Sequence, residues 1–276
     1  MTNPAPRRIL VHSGFHKTGT SSLQGFLDMH SEPLAPYFYA FGRFQAPAID
    51  EAAKTYAQKR FPWRLAAFRR AVRNYLSGAP LDRNIVISME SLSGLMPGHR
   101  LFGGARAEAY SDTAIAMAKV LVRELRRAFG ADIDIVFLFT TRQQEDWLRS
   151  VHGHLLRSIR LTDDFEAFRT QFIDLPTLPE QAAKIAALLA PIRVEIAALE
   201  AYTLCRIGPA RAVLDLMDVP KEVRTTLAPA PRANIGQPFD LRTTFLKLNR
   251  EITNKAALKA RKNGLLRAHA KEAAHV

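Results

Sequence analysis

Apolar positions along the chain change period several times. "RILVHSG" (8–14) is a compact apolar run, the pattern of a short buried strand. After a glycine-containing loop, "SSLQGFLDMH" (21–30) carries Leu23, Phe26 and Leu27 at helical spacing. "NIVISME" (84–90) predicts a second strand. Residues 111–129 predict a helix with Ser111 as cap, an apolar face of Ile115, Ala118, Val122, Leu125 and Phe129, and Gly130 as its stop. "IDIVFLFTTR" (133–142) predicts a third strand, 145–160 a further helix, and "RVEIAALE" (193–200) a fourth strand. The last strongly periodic stretch is "FDLRTTFLKLNREI" (239–252), a helix with Leu241, Phe245, Leu248 and Ile252 facing a core. Alternating strands and helices predict an α/β fold of three layers, a central parallel sheet flanked by helices, with ligands at the carboxyl ends of the strands. The expectation is one domain over 1–276, with a basic helical segment from about 239.

Composition narrows the setting. A 276-residue chain with 47% hydrophobic and 9% aromatic residues can bury a large core and does not have the make-up of a disordered protein. Its single cysteine, Cys205, excludes an internal disulfide. The first residues hold no apolar stretch of signal-peptide length, and the most apolar later stretch, 182–199, is interrupted by Lys184, Arg193 and Glu195. A cytoplasmic protein without a transmembrane segment is expected. A formal net charge of +13 implies polyanionic partners: nucleic acid, a membrane surface or multiply phosphorylated small molecules. Modest basic clusters at Arg69, Arg70 and Arg73, and at Arg123, Arg126 and Arg127, read as solvated helix faces.

The chemistry concentrates in "HSGFHKTGTSSLQ" (12–24). Gly14 and Gly19 have the spacing of a phosphate-binding loop, G-x-x-x-x-G-K-[ST], but Thr20 and Ser21 follow the second glycine and the lysine, Lys17, lies inside the loop. Strand, glycine loop and helix in that order let backbone N–H groups and a helix N-terminus converge on an anion. A kinase or hydrolase would also need a magnesium-holding aspartate at a neighbouring strand end. "NIVISME" ends in Glu90 and "IDIVFLFTTR" in two threonines and an arginine, so neither supplies one; if no metal neutralises the leaving group a cationic side chain must, and Lys17 within the loop is suitably placed. That suits transfer of a group less charged than phosphoryl, and sulfuryl transfer fits.

"HKTGTSSLQ" resembles the 5′-phosphosulfate loop of sulfotransferases that use 3′-phosphoadenosine 5′-phosphosulfate (PAPS), and is most similar to the bacterial branch, whose fold is P-loop-like. "TTRQQEDWLRS" matches a second family element, a strand-end arginine and a serine eight residues on, here Arg142 and Ser150. "PRANIGQPFDLRTTFLKLN" resembles the late loop and final helix that complete the donor site. The resemblance implies a transferase that moves a sulfuryl group from PAPS to a hydroxyl or amine without metal, releasing 3′-phosphoadenosine 5′-phosphate (PAP). In it Lys17 stabilises the leaving oxygen. His16, Thr18, Gly19, Thr20 and Ser21 hold the 5′ end by backbone N–H groups and hydroxyls, and Arg142, Ser150 and Arg232 hold the rest of the donor. The family's general base sits at a strand end, where Glu90 lies; His12, His16, His152 and His154 are its rivals. The acceptor, a carbohydrate or small metabolite, would meet the Pro- and Gly-punctuated loops 32–47 and 93–112. Two other readings stay open: a magnesium-dependent P-loop kinase, and a non-catalytic nucleic-acid binder argued from charge alone, although no nucleic-acid partner is expected of the favoured one.

Overall fold

The computed structural model describes residues 7–80, 82–229 and 239–274. In chain order the elements are β1 (Arg8–His12), α1 (Thr20–Met29), α2 (Ser31–Leu34), β2 (Tyr39–Gly42), α3 (Pro47–Gln58), α4 (Pro62–Leu76), β3 (Ile85–Ser88), a 3-10 turn (Glu90–Ser93), α5 (Ser111–Phe129) and β4 (Asp134–Thr141). There follow α6 (Gln144–Ser158), α7 (Phe165–Phe172), α8 (Leu178–Leu189), β5 (Arg193–Ala198), a second 3-10 turn (Leu199–Tyr202), α9 (Ala210–Leu216), α10 (Lys221–Thr226), α11 (Phe239–Glu251) and α12 (Lys255–Ala274). The chain forms two compact units. The first runs to Gln143 and resumes at Pro176; the second contains Gln144–Leu175, α11 and α12.

The first unit is the expected α/β fold, built on a five-stranded sheet in the order β2-β3-β1-β4-β5 with every pairing parallel. Side chains alternate across each strand. Leu10, Val86, Val136 and Leu138 therefore join Leu23, Phe26, Leu27 and α9's Val213 in one core. Ile9, Val11, Ile85, Ile87, Phe137 and Phe139, all buried, point to the opposite face. Burial on both faces explains why these strands read as unbroken apolar runs.

Three sequence expectations are corrected. Residues 32–47 are not a continuous loop: they hold the end of α2 and the edge strand β2. The buried face of α5 turns toward Ala114, Met117, Leu121, Glu124 and Leu125, leaving Ile115 and Val122 half-buried, and Ser111 is its first residue rather than its cap. On α11, Phe245 is buried as expected, but Asn249 takes the fully buried place beside it while Leu248 and Ile252 are half-buried.

Nor are the arginines of α4 only a solvated face. Arg73 Nε lies 2.9 Å from Glu124 Oε2, and Arg69 Nε lies 2.6 Å from Glu124 Oε1, around a carboxylate that is 1% exposed. Hydrogen bonding from Arg73, then from Arg69, against the cost of burial, holds this carboxyl at about 2, below its ordinary 4.5. The folded pKa is depressed, so the stabilisation is complete above pH 4.5 and is lost between there and about 2. Glu124→Gln should lower stability by about 1–3 kcal/mol at neutral pH and flatten that part of the acid-unfolding curve, which urea titrations at several pH values would measure.

In the second unit, the carboxyl end of α6 is closed by two buried polar groups. Asn249 Nδ2 donates to the carbonyls of Leu156 (3.1 Å) and Leu161 (2.8 Å), and Lys262 Nζ to those of Leu156 (2.6 Å) and Ile159 (2.8 Å). A cation at the negative end of a helix is favourably placed. Among the described residues no helix is long and apolar enough to cross a membrane.

Candidate active site

β1 lies between β3 and β4, where the chain's strand order reverses, the position at which parallel α/β sheets hold their ligands. The loop 13–19 sits there. Ser13 N–H donates to the Leu138 carbonyl at 3.1 Å, tying the loop's start to β4. Under it the His12 imidazole is fully buried, with Nδ1 2.8 Å from Ser88 Oγ and Nε2 3.4 Å from Thr140 Oγ1. Burial lowers its pKa to about 3, so a neutral ring bridges β1 to both neighbours. Residue 14 must be glycine, since a β-carbon there would lie 2.5 Å from both His12 Nε2 and Thr140 Oγ1.

The Thr18 hydroxyl donates to the Phe15 carbonyl at 2.6 Å and lies 2.7 Å from Thr140 Oγ1; the Thr20 hydroxyl also donates to Phe15, at 3.3 Å. Both side chains are buried, and these bonds shape the loop. Two residues of this loop have positive φ, Gly19 (φ 87°) and, without glycine's freedom, Lys17 (φ 68°). A β-carbon on residue 19 would meet Leu199 Cδ1 at 2.8 Å. α1 starts immediately afterwards with no side-chain cap and no acidic residue in its first turn, leaving its N-terminal N–H groups and dipole to an anion. From the end of β4, Arg142 Nη1 reaches the Lys17 carbonyl at 3.5 Å, which brings the two expected cationic residues together.

Glu90 opens the 3-10 turn after β3 and is half-buried, while Met89 N–H donates to the His12 carbonyl at 3.1 Å and fixes that turn against the end of β1. The Glu90 charge bears on both His16 and Tyr110. The His16 ring stacks on Tyr110 at 5.8 Å and 10°, and its pKa is lowered, first by burial, with Lys17 adding to the shift and Glu90 opposing it. Burial, then Glu90, keeps the Tyr110 phenol well above its usual range. Asp50 and Lys54 of α3 also act on His16, and His99 is lowered by burial and then by His16. Carboxylate, imidazole, ammonium and phenol thus gather at the 13–19 loop, a set able to take a proton and to stabilise negative charge.

The sheet therefore brings His16, Lys17, Thr18, Gly19, Thr20, Ser21, Glu90 and Arg142 to one end of the first unit. Ser150 lies in α6, in the second unit. His152 is also there, buried, with Nε2 3.0 Å from the Asp163 carbonyl and its ring against Phe165 and Phe168. Arg232 lies outside the described residues. Asp50, Lys54, His99, Tyr110 and Thr140 complete the site; His99 and Tyr110 fall in the 93–112 stretch expected to meet the acceptor and Thr140 at the end of the expected third strand, whereas nothing local in the sequence marks Asp50 or Lys54. The carboxyl end of β2 borders a surface depression whose walls include Gln24, Asp28, Arg43, Phe44 and Ser88, so part of 32–47 does reach the carboxyl edge of the sheet.

No family model matches the chain, and no curated protein matches it. Among solved structures, a sulfotransferase from Alicyclobacillus acidocaldarius is similar over 94% of this chain and 96% of its own, at 18% identity and a TM-score of 0.42.

Proposed function

We propose that the chain is a PAPS-dependent sulfotransferase acting on a hydroxyl or amine acceptor. The observation that carries this reading is a lysine held at positive φ within an anion loop, its carbonyl bonded by a strand-end arginine, before an uncapped helix N-terminus. The groups that fit a phosphosulfate are the backbone N–H donors of the loop and of the start of α1, the Lys17 ammonium and the Ser21 hydroxyl. Arg142 offers a planar fork suited to a phosphate. In the reaction the acceptor oxygen forms a bond to sulfur while the bond from sulfur to the bridging phosphate oxygen breaks. The electron pair stays on PAP, where the Lys17 ammonium offsets the developing charge, and the acceptor's proton passes to Glu90. The site proposed here is drawn from the first unit alone; the role expected of Ser150 rests on the sequence resemblance.

The kinase reading is separated from this one by thermal stabilisation, because a ligand that binds only the native state raises the melting point by mass action. PAP should raise it without added metal, whereas ATP with magnesium should have little effect; the reverse result would refute the proposal. Arg142→Ala should weaken PAP binding by about 10-fold or more, the loss of a charge-assisted contact of about 1.5–3 kcal/mol, as measured by calorimetry.

A further inference from the structure

Beyond the reacting groups, α3 and the 98–107 loop form a second surface. Residues 98–107 fold back as a small hairpin: Gly98 N–H donates to Ala107 O (2.9 Å), Ala107 N–H to His99 O (2.8 Å) and Leu101 N–H to Ala105 O (2.7 Å). Gly103 and Gly104, both at positive φ, make the tip. The tip is anchored, because Phe102 N–H donates to the carbonyl of Gln58 at the end of α3, at 3.0 Å. This sets Phe102 edge-on to Phe61 (5.5 Å, 70°), which stacks on Trp63 (4.5 Å, 13°). Trp63 is 62% exposed and Phe102 64% exposed, so the aromatics form an outward-facing platform and do not fill a satellite core.

Cations surround it. Lys59 Nζ lies 5.4 Å from the Phe102 ring centre, Arg60 and Arg100 are exposed, and Arg64 Nε is buried without a hydrogen-bond partner. None of these four has an acidic partner among the described residues. The elements that carry the platform also carry groups that act on the reacting centre: His99, at the base of the hairpin, lies within electrostatic reach of His16, and so does Lys54, one turn before Gln58 on α3.

We infer that this surface binds the remote part of an extended acceptor, an oligosaccharide carrying carboxylate or sulfate groups. The inference rests on the sulfotransferase reading above. Pyranose rings present flat C–H faces that cover exposed aromatic rings, their hydroxyl rims remain in water, and their anionic groups meet Lys59, Arg60, Arg64 and Arg100. Exposed aromatic patches of this kind mark interaction sites, and the surrounding charge favours an anionic occupant.

The chain has two tryptophans, and the other, Trp147, is 4% exposed, so a change in emission on ligand addition reports on Trp63. A galacturonic acid hexasaccharide should shift that emission and bind at least about tenfold more tightly than neutral cellohexaose. Phe102→Ala, at an exposed position, should weaken it about tenfold, in keeping with loss of an aromatic anchor, and Arg100→Gln should reduce the preference for the acidic saccharide. Absence of any saccharide response, or tighter binding of a single-stranded deoxythymidine decamer or of phosphatidylglycerol vesicles, would overturn the inference. PAP stabilisation measured in parallel separates the two claims: PAP binding without saccharide binding removes the platform's role alone, while saccharide binding without PAP binding removes the acceptor role together with the sulfotransferase reading.

Discussion

Replacing Lys17 by alanine is expected to cut the rate of sulfuryl transfer from PAPS by about 10²–10³, the usual cost of removing a donor aimed at charge that develops in the transition state. The loss should fall on kcat, because the ammonium's strongest interaction forms only as the sulfur–oxygen bond breaks. A second variant separates chemistry from folding. Lys17 has φ 68°, a region that costs a residue with a β-carbon about 1–2 kcal/mol and costs glycine little. Lys17→Gly should therefore lose the same activity as Lys17→Ala while melting at a temperature equal to or above that of the unaltered protein. A strained position kept for its side chain sacrifices stability for function. If Lys17→Gly were both less stable and fully active, the lysine would be a structural residue of the loop, and the anion would have to be held by other groups.

How far the sequence foretells this site depends on the distance over which each signal acts. β1, the loop and α1 are legible because a run of apolar residues, two glycines five apart and a helical period follow one another within 22 residues, Arg8 to Met29, and each is a local pattern. Glu90 and Arg142 are legible as residues just beyond strand ends, since a parallel sheet aligns those ends. β2 is not: it has four residues, Tyr39–Gly42, between Pro36 and Pro47, too few for alternation to stand out from punctuation. α3 and α4 lie where no element was expected. Their packing joins the 3-10 turn and α5, and through them Asp50 and Lys54 come to act on His16 from more than thirty residues away. The inward turn of the Thr18 and Thr20 hydroxyls is equally invisible in a motif, because it depends on Phe15's carbonyl and on Thr140, 122 residues from Thr18.

The second large effect concerns the proton. Glu90→Gln keeps the shape of the side chain and removes its basicity, and should lower kcat by about 10²–10⁴ while leaving PAP affinity unchanged. With Glu90 as base, the acid limb of the kcat/KM profile, where rate rises as the base loses its proton, disappears in the variant. His16 is the nearest competitor, and the electrostatics give it a different signature. Burial already lowers the His16 pKa, and the Glu90 charge opposes that shift, so removing the charge lowers it further. Were His16 the base, Glu90→Gln would retain most of its turnover and its acid limb would move to lower pH, because a weaker base is deprotonated earlier as pH rises. Loss of the limb with a collapsed rate, against a displaced limb with a surviving one, assigns the proton to one residue or the other in a single pH series. His12 does not enter this comparison, since both its ring nitrogens face hydroxyls of neighbouring strands and its burial beneath the loop keeps it neutral down to about pH 3.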